Sequence, residues 1–461
     1  MFGSAWSKTS KARARVWVFG LLAGVLAFAA MPAVAAAPAD KAIPLARSTE
    51  DPTVQADAAH YYADHYRVSL ATAYERLRIQ DAAQSVIGQV PSAVGSTWAG
   101  AWYDPADNGR LKIGIASGKK ALAAAGISTA KSILDTKGVG SYTDFVSVAS
   151  SWNDLVAAQS RLDDQLGDLV KQGDVTTSIT PDSNSVQVET ARALPSSATT
   201  RVEAAATGSV KIAVTKTTAD NVRSTFDSCA TGKGRFTTNE LHCDPPIRGG
   251  ALIESPHTGC SAGFLVKSQN NGKPYLMTAG HCFYGQPHAV WKARFADNTT
   301  HTIGAGHSHK FPGSGDYALI NIDNPTGWKV GPTAYVWVGA SHQGITSENP
   351  LYKIDATGHS SVNMVVCVSA GTRVKYLNHH TDCGPVKALN QTVTDILDGR
   401  VVTVTGEVEA ILCSNPGASG GPIYKSHKGY GLLSAQANGG GCKTYYQGLG
   451  NAEKGSHVVL P

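Results

Sequence analysis

Pro274-Tyr-Leu-Met-Thr-Ala-Gly-His-Cys-Phe283 runs from an apolar strand straight into a histidine beside a cysteine. Working outward from it, the chain from about Asp227 onward keeps one texture: residues 263–268, 317–322, 364–371, 400–412, 421–424 and 430–436 are short apolar runs broken by Gly, Asn, Pro and Ser. Many short strands at close spacing predict an all-β sandwich or barrel. Helical periodicity is scarce here, which disfavours a parallel sheet with crossover helices.

The whole chain has 461 residues, past the ~250–300 at which a single hydrophobic core stops growing, so at least two domains are expected. Apolar residues make up 42% and charged residues 16%, and 40 Lys and Arg against 35 Asp and Glu leave a formal +5. That balance argues against a disordered chain and against a dedicated nucleic-acid binder. Past residue 40, nothing approaches the ~18 unbroken apolar residues of a membrane span.

The first 39 residues read differently. Lys8, Lys11, Arg13 and Arg15 precede an apolar run over 16–30, and Ala33-Val34-Ala35 follows, the layout of a secretory signal peptide cut after Ala35 or a few residues later. The expected product is secreted and extracellular, with no membrane association after cleavage. All eight cysteines stand from residue 229 onward, and an even number in an exported chain implies disulfides. Eight cysteines permit many pairings. Their order invites neighbour pairing: Cys229–Cys243, Cys260–Cys282, Cys367–Cys383 and Cys413–Cys442. With no Cys-x-x-Cys pair in the sequence, metal ligation by these residues is not expected.

Residues 40–225 have another character, without cysteine until Cys229 and rich in alanine. Ser69 is placed to cap a helix carrying Leu70, Ala73, Leu77 and Ile79, and Trp152, Leu155, Leu162, Leu166 and Leu169 lie near helical spacing on a second. After each helix comes a hairpin pattern, 101–115 and 177–189, with Pro, Asp and Asn between alternating strands. The segment reads as an α+β domain. Duplication of one unit and coincidence both account for the two hairpins, because Asp, Pro and Asn make turns in any protein.

Three short motifs in the β half carry the chemistry. Thr278-Ala279-Gly280-His281-Cys282 ends a strand on a histidine, Gly315-Asp316-Tyr317-Ala318-Leu319-Ile320 places an aspartate at the entry to a buried strand, and Gly417-Ala418-Ser419-Gly420-Gly421-Pro422 holds a serine in a glycine turn. Each alone has a bland structural reading. Together they supply one residue of each type that a Ser-His-Asp system needs, in the order His, Asp, Ser. Gly417-x-Ser419-x-Gly421 also matches the nucleophile elbow of α/β-hydrolases, but that fold places its Asp and His after the serine, and too little chain remains for them. A secreted esterase is therefore a weak rival.

In this order the motifs TAGHC, DYALI and GASGGP resemble those of chymotrypsin-fold serine endopeptidases, and the bacterial secreted streptogrisin and alpha-lytic endopeptidase branch in particular. The likeness covers roughly 246–461, where Cys413 six residues before the serine, the Cys367–Cys383 loop and TYYQ at 444–447 are similar to that branch. Residues 68–80 and 96–116 resemble its pro-regions. The resemblance implies two antiparallel six-stranded β-barrels over 226–461, preceded by a pro-domain over 40–225 that assists folding and blocks the site. His281 would be general base and then acid, Asp316 its orienting partner and Ser419 the nucleophile, with the N–H groups of Gly417 and Ser419 as oxyanion hole. Ser434, Ala435 and Gln436 would wall the specificity pocket, Gln436 narrowing it for a neutral side chain.

No metal or cofactor is implied. The expected partners are protein or peptide substrates and the chain's own pro-domain, acting on a monomer. One departure stands out: the family usually has Asp immediately before the serine, and here it is Ala418. A buried ion pair at that position cannot form, so a catalytically silent binding homologue is the rival reading. His301, His307 and His309 are read as a solvated loop, as is His379-His380.

Overall fold

The computed structural model describes residues 52–117, 120–172, 174–190, 193–206, 210–216, 222–224, 245–294, 299–338, 349–371, 381–397, 400–437 and 442–461. The expected leader, the Cys229–Cys243 bridge and His379-His380 lie outside them. Among the described residues no helix is long and apolar enough to cross a membrane.

The helix expected after Ser69 begins at its cap, and the second is capped by a serine as well. Ser69 Oγ accepts from Thr72 N at the start of Leu70–Gln84, and Ser151 with Asp154 forms a capping box at the start of Trp152–Gln165, satisfying N–H groups that have no partner within the helix. Two units of one connectivity follow. In the first, Trp98–Asp104 pairs antiparallel with Arg110–Ala116, and the helix Lys120–Asp135 leads to Thr143–Val148, parallel to Arg110–Ala116. In the second, Val175–Thr180 pairs antiparallel with Ser185–Thr190, and the helix Ser196–Ala205 leads to Lys211–Lys216, parallel to Ser185–Thr190.

From residue 249 the chain forms two larger sheets. The eight-stranded sheet is built from strands between Leu252 and Asn321 with Val458–Val459 at one edge. Its core holds Phe264, Leu276, Phe283, Trp291, Ile303 and Ile320, all fully buried. The eleven-stranded sheet includes six strands that close a ring, because Val365–Ser369 pairs both with Pro422–Lys425 and with Thr381–Leu397. Four of its five extra strands come from the first half of the chain. Val175–Thr180 pairs with Thr381–Leu397, and so adds a three-stranded layer to the ring.

The described residues all fall within one compact unit. Side chains reinforce the strand pairing. Lys425, 3% exposed, pairs with Asp81 at 2.9 Å and donates to Gln80 Oε1 at 2.9 Å, while Lys443 Nζ reaches Glu189 at 2.8 Å. A buried charge stripped of its partner is costly, so Lys425→Met is expected to reduce the unfolding free energy by about 3 kcal/mol. Urea denaturation measures this. A loss below about 1 kcal/mol would mean that Asp81 finds water instead of remaining buried.

Three disulfides join Cys260 to Cys282, Cys367 to Cys383 and Cys413 to Cys442. The His301, His307 and His309 group is corrected from loop to strand. All three are exposed on Thr300–Lys310, where His307 stacks on Tyr275 with ring centroids 4.7 Å apart. Polar residues on the solvent face of a strand look like a loop when the partner strands are unknown.

Candidate active site

His281 is delivered by strand pairing. Pro274–Thr278 lies antiparallel to Tyr317–Asn321, with Thr278 opposite Ala318, so the residues just past one strand meet those just before the other. Gly280 permits the approach: a Cβ there would sit 2.3 Å from Lys310 O and 2.8 Å from Tyr317 N. His281 Nδ1 and Asp316 Oδ2 are 2.7 Å apart, and the His281 backbone N–H donates to Asp316 Oδ1 at 2.7 Å.

Asp316 has two further supports. Ser434 Oγ donates to its Oδ2 at 2.6 Å, and its own backbone N–H donates to Gln447 Oε1 at 3.0 Å. Burial alone would raise the Asp316 carboxyl, but the His281 charge and these donors hold it below the ordinary carboxylate range. Burial alone would lower His281, but the Asp316 carboxylate overrides it and the imidazole sits above its usual value. The pair is thus a polarised, buried base with one tautomer favoured, Nδ1–H toward Asp316.

Ser419 is brought to the same place by its glycines. Gly420 has φ +83°, and a Cβ on it would sit 2.0 Å from Thr278 Oγ1 and 2.8 Å from Ala279 N. The serine turn therefore presses its backbone against the end of the strand that leads to His281. Gly417, at φ +88°, takes the left-handed conformation that only glycine adopts without strain. His281, Asp316 and Ser419 are all buried.

Ala418 is buried among apolar side chains, and the turn is held without an ion pair at that position. Ser261 does much of this. Its N–H donates to Ser419 O at 2.7 Å, its Oγ donates to Gly417 O at 2.8 Å and accepts from Gly371 N at 2.8 Å. Gly420 N donates to Leu433 O at 2.7 Å. Nothing local in the sequence marks Ser261 for this task beyond its place after Cys260.

The residues expected to wall a pocket divide in two. Ser434 turns its hydroxyl to Asp316, while Gln436 Oε1 accepts from Ser414 Oγ at 3.1 Å. The backbone of Ala435–Ala437 pairs antiparallel with Val222–Ser224. Cys260, Cys282 and His281 place their ligand-type atoms within 4.8 Å of one another, but the two sulfurs are bonded to each other and so are not thiolate ligands.

No family model matches the chain. It is 30% identical to serine protease 2 of Streptomyces fradiae over 199 residues, which are 43% of this chain and 98% of that protein. It is 28% identical to streptogrisin-D of Streptomyces griseus over 218 residues, 47% of this chain and 48% of that protein, so it spans about half the length of that relative. Among solved structures, Nocardiopsis protease is 23% identical, with 46% of this chain and 98% of that chain covered and a TM-score of 0.36.

Proposed function

Because the chain belongs to the trypsin-like serine proteases of the streptogrisin type, we propose that it is a secreted serine endopeptidase, made as a precursor, that cleaves peptide bonds through His281, Asp316 and Ser419. The observation that carries this reading is the buried His281–Asp316 pair, doubly hydrogen-bonded and set against the turn that holds Ser419. In this mechanism Ser419 Oγ attacks the peptide carbonyl and its proton passes to His281 Nε2. The N–H groups of Gly417 and Ser419 receive the oxyanion. His281 then protonates the leaving amine, and water, deprotonated by the same imidazole, releases the acyl group and regenerates Ser419.

The protease portion is read as two six-stranded β-barrels with residues before about 225 as a pro-domain. Support comes from Val222–Ser224, which lies as an added strand on Ala435–Ala437. An extended peptide substrate is proposed to add to the same edge by main-chain hydrogen bonds. The pro-domain would then hold the substrate groove until it is cut away. Gln436, bonded to Ser414, supports a pocket for a small neutral side chain.

Labelling the processed protein with a fluorophosphonate, with the adduct mapped by peptide mass, tests the reading. A stoichiometric adduct on Ser419 together with casein digestion is expected. Disulfide-bonded, pro-free protein that takes no label would instead be the silent binding homologue, and label with ester turnover but intact casein would be the esterase. A smaller effect is expected at Ser434. Ser434→Ala removes a hydrogen bond to a buried charge and should lower kcat about 10- to 100-fold, with KM little changed. Steady-state kinetics on a peptide anilide decide this, and a fall in affinity alone would place Ser434 in the pocket rather than behind the aspartate.

A further inference from the structure

Glu407 is a buried acid that the proposed mechanism does not use. It lies in the strand Arg400–Ala410, opposite Gln447 on one neighbouring strand and Gln391 on the other. Cross-strand partners share a face, so Glu407 stands beside the glutamine whose Oε1 receives the Asp316 N–H. Its carboxyl is fully buried, and neither of its oxygens accepts a hydrogen bond. Asp316 acts on it through its charge and Ser434 through its side-chain hydroxyl. No pattern in the sequence singles it out.

A buried carboxylate without a donor is untenable, and Ser434 cannot supply one. Ser434 has a single proton, and that proton is committed to Asp316 Oδ2 at 2.6 Å. Its lone pairs remain able to accept. We propose that Glu407 is a positioning residue of the His281–Asp316 pair: as an uncharged acid it donates its proton to Ser434 Oγ, and thereby keeps the Ser434 hydroxyl aimed at Asp316.

The electrostatics agree with that geometry. Burial and the Asp316 charge push the Glu407 carboxyl well above the carboxylate range, with Ser434 opposing. Two acids sharing a buried site separate into one ionised and one neutral member. Asp316 keeps the charge because His281 faces it, and Asp395 also acts on His281. Gln391 and Gln447, opposite Glu407 on its two neighbouring strands, and Ser434 are neutral, while Glu409, two residues along the same strand, is paired with Lys443 and accepts from Gln391. An ionised Glu407 would compete with Asp316 for the one Ser434 proton.

The inference rests on the triad reading, so Ser419→Ala is assayed alongside. In wild-type active enzyme carrying 13C-labelled glutamate, the Glu407 carboxyl resonance, assigned by its loss in Glu407→Gln, is expected at the position of a protonated acid at pH 7. Glu407→Met, which has no donor, is expected to lower kcat about tenfold with KM within twofold. Glu407→Gln, which keeps an uncharged donor, should restore at least a third of the wild-type kcat. An ionised Glu407 at pH 7 overturns the inference, as does a Met variant that matches Gln or changes only KM. Should the Met variant not fold, the wild-type resonance and the Gln kcat decide, a loss above tenfold in Gln counting against. An active Ser419→Ala would remove the triad reading itself, whereas an inactive one beside indistinguishable Glu407 variants removes this inference alone.

Discussion

Ser419→Ala is expected to lower kcat for peptide hydrolysis by about 10^5- to 10^6-fold, the scale on which removal of a triad nucleophile acts. The change deletes one oxygen and leaves the anchors of the turn in place, since the bonds of Ser261 to Gly417 O and Ser419 O reach only backbone atoms. The folded protein should therefore still form and still bind peptide. Burst kinetics with an activated ester give the nucleophile count, and steady-state assays give kcat. Residual activity above about a hundredth of wild type would place the nucleophile elsewhere.

Asp316→Asn is expected to cost about 10^4-fold in kcat. The carboxylate accepts from the His281 ring at Nδ1, from the His281 backbone and from Ser434, three donors that one amide oxygen cannot serve. An amide NH2 facing Nδ1 selects the tautomer with its proton on Nε2, which cannot take the proton of Ser419. The pH profile adds an independent readout. In the wild type, His281 must be neutral to act as base, and Asp316 holds its pKa above the ordinary value against burial. Activity thus rises with pH through a raised His281 pKa. In Asp316→Asn the main opposition to burial is removed and only the smaller effect of Asp395 remains, so the acid limb of kcat/KM moves to lower pH. An acid limb that stays in place would mean that another group sets it.

The loss of the usual acid before the serine has a physical counterpart in the structure. Where an aspartate would need a buried cation, Ala418 packs into the apolar core. The turn is instead tied by Ser261, Gly420 and the backbone of Leu433. Hydrogen bonds between neutral groups carry no desolvation cost of the kind that a buried ion pair does. Ala418 is therefore compatible with a formed oxyanion loop.

Much was legible from local pattern. The cap at Ser69, the hairpins that follow each helix, and the short strands around His281, Asp316 and Ser419 all depend on residues a few positions apart, whose preferences act within one turn or one strand. Neighbour order in the chain sufficed for the three described disulfides, because each closes a short loop between adjacent strands or turns. The histidines of 300–310 were misread, since exposure on a strand depends on what lies across it.

The sequence by itself determined which residue types are present for proton transfer and acyl transfer, and in what order. Only the tertiary structure decided what surrounds them. Ser261 meets Gly417 across 156 residues and Ser434 meets Asp316 across 118. Glu407 reaches the back of the same pair through strand register. Register is a property of two strands together, and a shift of one residue in either would turn Ser434 and Glu407 away from Asp316 while leaving every local pattern intact.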